Sequence, residues 1–173
     1  MAKVELLTPI MLKWEGGYVE DHDDKGGATN MGVTLSTWMA VGYDKDGDGD
    51  IDHDDIKLLS VQDATTVLKK FYWDRWMADY ITNQSVANIL VDWLWCSGKW
   101  GIKIPQRLLL LPDDGIAGPN TVAAVNAQNQ ADFHMKIYNA RLAFIKNIIK
   151  EKPSQKKFEK GWINRLNDFQ FKP

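Results

Sequence analysis

Residues 14–34 read WEGGYVEDHDDKGGATNMGVT and follow directly on an apolar run with helical spacing. That run predicts a helix over residues 3–15, which ends with one carboxylate, Glu15. Two glycines come next, and glycine is the usual stop of a helix because it takes the left-handed conformation without a Cβ penalty. We therefore expect Glu15 in the last helical turn, beside Trp14 and Tyr18 and next to a tight loop.

The surroundings of Glu15 suit a catalytic acid. Aromatic neighbours partly desolvate a carboxyl group, and desolvation favours its protonated form. A carboxylic acid that is protonated near neutral pH is the general acid of glycoside hydrolysis. The loop after Glu15 adds further acids and a polar pair among glycines that let a ligand approach, namely Asp21, Asp23, Asp24, Thr29 and Asn30. The alternative is that Glu15 is a solvated residue at the helix end and that the glycines serve only a turn. The motif Glu-Gly-Gly by itself would favour this alternative.

The pattern Glu-Gly-Gly-Tyr, then Asp-x-Gly-Gly-x-Thr-Asn-x-Gly-Val-Thr, resembles the signature of glycoside hydrolase family 108. These are lysozyme-like N-acetylmuramidases, often phage-derived, in which this glutamate is the proposed catalytic acid. The segment is also similar to phage lysozymes, which carry Glu-x8-Asp-x5-Thr. Glu15 and Asp24 keep the first spacing, whereas Thr29 comes one residue early. The resemblance implies Glu15 as acid, Asp24 and Thr29 as its helpers, and substrate contacts from Gly17, Tyr18 and Asn30.

Residues 44–55 form an acidic segment, DKDGDGDIDHDD, that fits the twelve-residue calcium loop of an EF-hand. Side-chain ligands fall at positions 1, 3 and 5, the turn glycine is Gly49, and position 7 offers its backbone carbonyl. Position 12 is an aspartate, whereas EF-hand loops usually have a bidentate glutamate there. The shorter side chain could lower the affinity for calcium or allow magnesium to bind. We expect a structural Ca²⁺ ion held by Asp44, Asp46, Asp48, Asp50 and Asp55, with a solvated acidic loop as the alternative.

Two helices are expected after this loop. The first, over about residues 61–77, follows the capping signal Ser60-Val-Gln-Asp63 and ends in Tyr72-Trp73-Asp74, which resembles a family segment that could line the sugar groove. The second, over residues 82–100, is apolar nearly all round and therefore buried. Asp92 within it needs partners, so it either anchors a neighbour, with Arg141 or Arg165 as candidate cations, or binds substrate. For Tyr72 and Trp73, packing in the core is equally plausible.

The C-terminal part begins with a second resemblance. The run from Asp114 to Thr121, DGIAGPNT, is similar to the Asp-Gly-x-x-Gly-Pro-x-Thr repeat of peptidoglycan-binding modules. Its simpler interpretation is a turn with Pro119 at the first position of a helix. Amphipathic helices are predicted over 131–150 and 154–169. We expect residues 1–100 to form a lysozyme-like catalytic region with the insert at 44–55, and residues 101–173 a helical peptidoglycan-binding-like region packed on it as one compact unit.

Composition limits the other functions. The formal net charge is −2, so there is no basic bias that would indicate nucleic acid. The one cysteine, Cys96, is expected to be a small buried hydrophobe. No apolar stretch approaches the roughly 18 residues of a membrane span. No secretory signal is recognised, so we expect a cytoplasmic product that reaches the cell wall after holin-type release or lysis, and we expect a monomer.

Together these patterns predict an all-α, lysozyme-like fold with little or no sheet. The implied activity is that of an endolysin-like muramidase acting on peptidoglycan glycan strands. Three alternatives stay open. A lytic transglycosylase would use the same glutamate without adding water, a non-catalytic peptidoglycan-binding protein would keep only the groove, and a calcium-responsive interaction protein would change shape on binding the ion.

Overall fold

The computed structural model of the protein describes residues 1–18 and 28–173. The chain forms two compact units, one of residues Val4–Phe71 and one that joins Met1–Lys3 to Tyr72–Pro173. Helices dominate both units, and the strands among the described residues form one two-stranded sheet. The prediction of a helical fold with little sheet is confirmed.

In the described part of the first unit there are four helices and the small sheet. Helix α1 spans Val4–Leu12, strands β1 and β2 span Thr29–Asn30 and Val33–Thr34, and helices α2, α3 and α4 span Leu35–Met39, His53–Lys57 and Val61–Leu68. The strands pair antiparallel with Thr29 opposite Thr34. Met31 and Gly32 have φ values of 52° and 75°, which gives the hairpin a turn with two left-handed residues, as tight hairpins require.

Buried side chains around Trp38 and Ile56 form the core of this unit, together with Ala28, Val33, Leu59, Ala64 and Val67. The chain enters helix α4 through the predicted capping box, because Ser60 and Asp63 each bond the other's backbone N–H. Helix α1 packs along α4, and the Thr65 hydroxyl donates to the Thr8 hydroxyl at 3.1 Å between them.

The second unit contains five further helices. They are α5 (Gln84–Ser97), α6 (Trp100–Leu108), α7 (Pro119–Asn126), α8 (Gln130–Glu151) and α9 (Glu159–Asn167), with a 3₁₀ segment over Pro153–Phe158. Helix α5 is buried along most of its length and packs against α6 and α8. Pro119 occupies the first turn of α7, as the sequence predicted.

Two predicted helices end earlier than their apolar patterns do. Helix α1 stops at Leu12, because the Trp14 N–H bonds the carbonyl of Met11 at 2.9 Å in a tighter turn, so Glu15 lies beyond the last helical turn. Helix α4 stops at Leu68 and widens into a π-helical segment, Lys69–Trp73, followed by short 3₁₀ turns around Met77, whose φ is 49°. A π turn rotates the side chains that follow it, and here both Trp73 and Trp76 are fully buried.

Candidate functional site

Glu15 stands in the bend between helix α1 and the segment that leads to the hairpin. Its side chain is half-buried. The neighbouring ring of Trp14 is also half-buried and has the ammonium of Lys13 5.3 Å from its centre. Glu15 therefore lies outside the helix itself, directly after Trp14 in the chain, and its half-buried side chain keeps part of its surface exposed.

The glycines after Glu15 lie in open space. Both are exposed, and a Cβ atom added to Gly16 or Gly17 would meet no described atom within 4 Å. Neither has the left-handed backbone that was expected to stop the helix, since the positive-φ glycines of the described chain are elsewhere. The described part of the chain thus gives no steric reason for glycine at these two positions, which is consistent with close approach of a ligand to the backbone.

Tyr18 follows these glycines as a half-buried aromatic side chain. The ammonium of Lys57, from helix α3, lies 5.6 Å from the centre of its ring. A cation over a ring face holds the ring in place while part of its surface stays open. Tyr18 is thus a partly accessible aromatic surface three residues after Glu15.

The hairpin supplies the polar pair Thr29 and Asn30. Thr29 is half-buried, whereas Asn30 is buried and its amide donates to the carbonyl of Ile56 at 2.9 Å. Asn30 therefore ties the hairpin to helix α3. Asp24, the expected second carboxylate, lies outside the described residues, as do Asp21 and Asp23.

The two aromatic candidates after helix α4 differ in exposure. Tyr72 is half-buried, and its ring centre lies 4.5 Å from that of Trp95. Trp73 is fully buried and donates its indole N–H to Asp79 at 2.7 Å. Trp73 is thus a core residue with a satisfied polar atom, and Tyr72 is the one of this pair with open ring surface.

Asp92 is completely buried and joined to both arginines that the sequence suggested. Its Oδ2 lies 2.6 Å from a terminal nitrogen of Arg141 on α8. Its Oδ1 accepts from Nε and Nη2 of Arg165 on α9, at 3.0 and 2.7 Å. With both oxygens occupied and no exposed surface, the carboxylate contacts the arginines rather than a ligand in solution. Asp92 therefore positions two guanidinium groups.

The acidic loop 44–55 brings three carboxylates together on one side. Oxygens of Asp44, Asp46 and Asp48 all lie within 4.8 Å of one another. A calcium ion holds its ligands at about 2.3–2.6 Å, so oxygens this close can share one ion. Backbone groups of the loop hold the Asp44 carboxylate in place, because it accepts from the N–H groups of Gly47 and Gly49 at 2.6 and 2.9 Å. The first half of the loop fits the expected ion.

The second half of the loop fits the expected ligand set less well. Asp50, Asp52 and Asp55 form a separate group. Asp55 is 1% exposed, and its two oxygens accept the backbone N–H groups of Lys45 and Asp52, at 2.5 and 2.7 Å. In the structure Asp55 closes the loop and helps to cap helix α3. Its shorter arm, compared with the usual glutamate, reaches the backbone rather than the centre of the loop.

Hydrogen bonds and neighbouring carboxylates within the loop shift the pKa values of its aspartates. Backbone hydrogen bonds from Gly49 and Gly47 lower the pKa of Asp44. The backbone N–H of Asp48 lowers the pKa of Asp46, but partial desolvation and the neighbouring carboxylates outweigh it and leave that pKa raised. The charge of Asp48 and partial desolvation also raise the pKa of Asp50. A divalent cation would relieve this repulsion.

Lys45 anchors the loop and was not singled out in the sequence. Its ammonium binds Asp63 on α4 at 2.8 Å, and the bond raises the pKa of Lys45. Burial raises the pKa of Asp63, but hydrogen bonds from Lys45 and Ser60 outweigh it and hold that pKa below its usual range. The signal that would have identified this pair is the one lysine among the aspartates of the loop.

The segment similar to peptidoglycan-binding modules is held by a buried glutamine. Gln106 on α6 donates to Asp114 at 2.8 Å and to the carbonyl of Ile116 at 3.1 Å, and it accepts from the N–H of Gly115 at 2.9 Å. The backbone N–H of Ile116 and the amide of Gln106 lower the pKa of Asp114. These bonds fix the turn that enters α7. They make the motif a structural connection, whatever else it contacts.

Cys96 contradicts its prediction. It was expected to be a buried hydrophobe, but it is exposed, because the last turn of α5 leaves the core after Leu94. Its sulfur lies 3.9 Å from Oδ2 of Asp92.

Among the described residues, no helix combines the length and apolar character that a membrane crossing needs.

Comparison with known proteins adds two family matches. The model of the glycosyl hydrolase 108 family matches residues 8–98, and the family described as a predicted peptidoglycan domain matches residues 100–167. No curated protein matches the chain. Among solved structures, that of SagA from Brucella abortus is similar, with 29% identity and a TM-score of 0.72, over 96% of this chain and 90% of the SagA chain.

The first family match includes Glu15, both glycines after it, the hairpin and Asp92, and it spans more than half of the chain. The second begins where helix α6 begins. A glycosidase family followed by a predicted peptidoglycan domain makes this protein a peptidoglycan hydrolase. The chain belongs to the glycosyl hydrolase 108 family.

Proposed function

We propose that this protein is an N-acetylmuramidase, which hydrolyses the β-1,4 bond between N-acetylmuramic acid and N-acetylglucosamine with Glu15 as general acid. The observation that carries the proposal is the setting of Glu15 within the matched family segment. The carboxyl group is half-buried, and the two residues after it have no side chains and lie in open space. This arrangement suits a sugar chain that passes close to the backbone beside an acid.

In the proposed reaction, Glu15 protonates the glycosidic oxygen as the bond breaks. Positive charge then develops on the sugar ring, and a second group must either stabilise that charge or activate a water molecule on the opposite face. We assign this second role to Asp24, with Thr29 holding the water. Gly17 and Tyr18 would contact the sugars, because each has open surface. Tyr72 stays a separate candidate for sugar contact, on the strength of its own half-buried ring.

Three other candidates would act indirectly. Asn30 holds the hairpin that carries Thr29 through its bond to Ile56. Trp73 supports the segment that presents Tyr72 from within the core. Asp92 orients Arg141 and Arg165. Their substitution would change the activity by disturbing the residues that they hold in place.

We also propose a structural calcium ion in the loop 44–55. Asp44, Asp46 and Asp48 would hold it with their carboxylates, and Asp50 with its backbone carbonyl, as in EF-hand loops. The close approach of the first three carboxylates supports this assignment. Asp55 would contribute by closing the loop through its bonds to the backbone. The ion would replace mutual repulsion with attraction and takes no part in bond cleavage.

The runner-up function is that of a lytic transglycosylase, in which Glu15 acts first as acid and then as base, and a hydroxyl of the sugar attacks in place of water. It needs no second carboxylate, which makes it the natural alternative if Asp24 has no role. A non-catalytic peptidoglycan-binding protein would cleave nothing and would not depend on Glu15.

The test is mass spectrometry of the fragments released from purified peptidoglycan by the wild type and by Glu15→Gln. Glu5→Gln is the matched control, because Glu5 is an exposed glutamate on α1. We expect reducing muramic acid ends from the wild type and the control, and a rate at least about 100-fold lower for Glu15→Gln, as for loss of a general acid. Anhydro ends would indicate the transglycosylase. Equal rates for Glu15→Gln and the wild type would remove Glu15 from the mechanism.

A further inference from the structure

The connection between helices α8 and α9 is rich in lysine. Residues 150–160 contain five lysines and two glutamates, whereas the whole chain has a formal net charge of −2. All five lysines are exposed, namely Lys150, Lys152, Lys156, Lys157 and Lys160. The segment is short and joins two helices that pack on each other, so these charges lie together at one end of the helix pair.

Most of these charges are not neutralised within the protein. Lys156 pairs with Glu159, whereas Glu151 accepts a hydrogen bond from the amide of Asn147. Among the described residues, the other four lysines have no carboxylate within ion-pair distance. The connection therefore presents a surplus of exposed ammonium groups to its surroundings.

Phe158 adds an exposed aromatic ring to the same segment. Its side chain is 44% exposed, although it is wholly apolar. The ring of Trp162 stacks on it at 5.8 Å and 27°, and the ammonium of Lys157 lies 4.9 Å from its centre. These contacts hold the ring in place and leave nearly half of its surface in water. Covering that apolar surface with a partner would be favourable.

We propose that the connection between α8 and α9 binds the surface of a membrane that contains anionic phospholipids. The lysines would lie among the phosphate groups, and Phe158 would enter the boundary between the headgroups and the acyl chains. Residues 150–160 contain no arginine, the side chain whose planar fork selects single phosphate groups, and lysine is a point charge. The segment therefore suits a diffuse anionic surface with an apolar layer beneath it.

A single-stranded nucleic acid is the other polyanion that lysines and aromatic rings can bind. Such binding relies on aromatic platforms for successive bases along a basic groove. Here Phe158 and Trp162 stack on each other, which leaves no row of separate platforms in the connection. The arrangement therefore favours the lipid surface, and an oligonucleotide becomes part of the test.

Sedimentation with lipid vesicles tests the proposal on the intact protein. We expect binding to vesicles of equal parts phosphatidylglycerol and phosphatidylcholine, and none to vesicles of phosphatidylcholine alone. Binding should disappear between about 0.1 M and about 1 M NaCl, because the screening length falls from about 10 Å to about 3 Å. Equal binding to both kinds of vesicle would overturn the role of charge. Absence of binding to either would overturn the proposal.

Paired lysine substitutions test whether this segment is the binding surface. Lys152→Gln with Lys157→Gln removes two charges from the connection. Lys136→Gln with Lys172→Gln is the matched control, because it removes two exposed lysines in or beside the N-terminal half of α8. Each lysine at an anionic bilayer is worth about fivefold in binding, so the first pair should bind roughly 25-fold more weakly than the control. Equal binding by the two double variants would overturn the assignment to the connection.

Substitutions of Phe158 distinguish a lipid surface from other polyanions. Phe158→Gln should weaken vesicle binding by at least about fivefold, whereas Phe158→Leu, which stays apolar, should retain most of it. Melting temperatures of both variants check that the fold is kept. Equal vesicle binding by Phe158→Gln and the wild type would overturn insertion of the ring.

A single-stranded dT oligonucleotide tests the other class of partner. We expect it to bind more weakly than the anionic vesicles at the same salt concentration. Binding of the oligonucleotide that depends on Lys152 and Lys157, without binding to vesicles, would overturn the lipid assignment. The vesicles contain no peptidoglycan, so these results are independent of Glu15 and of the muramidase proposal.

Discussion

Among single residues, Gly17 offers a sharp test of the catalytic segment. An alanine there would add a Cβ atom that meets no described atom within 4 Å, and the backbone is not in the left-handed region. We therefore expect Gly17→Ala to leave the melting temperature within about 1–2 °C of the wild type, since no contact or strained conformation is lost. If a sugar chain passes over this backbone, the added methyl group should lower hydrolysis by at least about tenfold.

Glu5→Ala is a suitable control for Gly17→Ala, because it lies on the exposed side of α1 and should change neither quantity. Full activity of Gly17→Ala would mean that the glycine is not needed for close approach of substrate. A large loss of stability would mean that the glycine serves the fold.

The sequence indicated which single residues matter better than it predicted their burial and contacts. The pairing of Asp92 with arginines followed from the cost of a buried charge and is confirmed, whereas the aromatic surroundings expected for Glu15 stay a prediction. The exposure of Cys96 could not be predicted, because it depends on which side of the almost wholly apolar helix α5 faces the core, and the burial of Trp73 depends on the π-helical turn that rotates its side chain. Periodicity does not resolve that choice when every side is apolar.

Among the elements, the contact between α5 and α6 depends on one glycine. A Cβ atom at Gly101 would lie 2.4 Å from the backbone nitrogen of Leu94 and 2.5 Å from the carbonyl carbon of Trp93. Since backbone atoms cannot move aside without disturbing α5, Gly101→Ala should lower the free energy of unfolding by about 1–3 kcal/mol. Chemical denaturation measures this change.

Gly161 gives the matched control for Gly101. It lies within helix α9, and a Cβ atom there would meet no described atom within 4 Å. Gly161→Ala should raise stability by about 0.5–1 kcal/mol, because alanine is the better helix former. The same effect from both substitutions would show that the close approach of α5 and α6 does not require glycine.

The acidic loop is the element on which the calcium proposal depends. We expect added Ca²⁺ to raise the melting temperature and a chelator to lower it again, because the ion would bind the folded loop and relieve the repulsion that raises the pKa of Asp46 and Asp50. Asp46→Asn should abolish most of this response. Asp54→Asn, which removes an equal charge outside the ligand positions, should retain it.

Melting curves without and with Ca²⁺, recorded for the wild type and both variants, test the calcium prediction. A melting temperature that is the same with chelator and with Ca²⁺ would exclude the ion from the folded protein. An equal response in Asp46→Asn and the wild type would exclude Asp46 as a ligand.

The elements themselves were predicted where local signals are strong and missed where packing decides. The capping box at Ser60, the start of α7 at Pro119 and the long helix α8 all follow from local chemistry. Helix α6 was not predicted as a separate element: it contains Gly101 and Pro105, which are poor helix formers, and the close contact that explains Gly101 is tertiary. The π-helical segment after α4 likewise reflects the burial of Trp73 and Trp76 rather than any local preference. The distance between Glu15 and a second carboxylate also depends on the folded chain, and sequence spacing does not supply it.

For the molecule as a whole, His134 on α8 makes global stability depend on pH. It is 4% exposed, its Nε2 atom has no hydrogen-bond partner among the described residues, and the ring of Phe171 packs 5.7 Å from its own. Burial lowers the pKa of His134, and a hydrogen bond with the backbone of Phe169 opposes this only in part. As pH falls below about 6.5, the unfolded chain therefore binds a proton before the folded protein does. Stability should be greatest above that pH and should decrease below it, by up to about 1.4 kcal/mol per pH unit from this group.

Urea unfolding of the wild type and of His134→Gln between pH 7.5 and 5 (roughly one unit on either side of an ordinary histidine) measures the effect, since the difference between the two proteins removes the contribution of the carboxylates. Parallel slopes for the wild type and His134→Gln would mean that the buried imidazole takes up its proton as readily in the folded protein as in the unfolded chain.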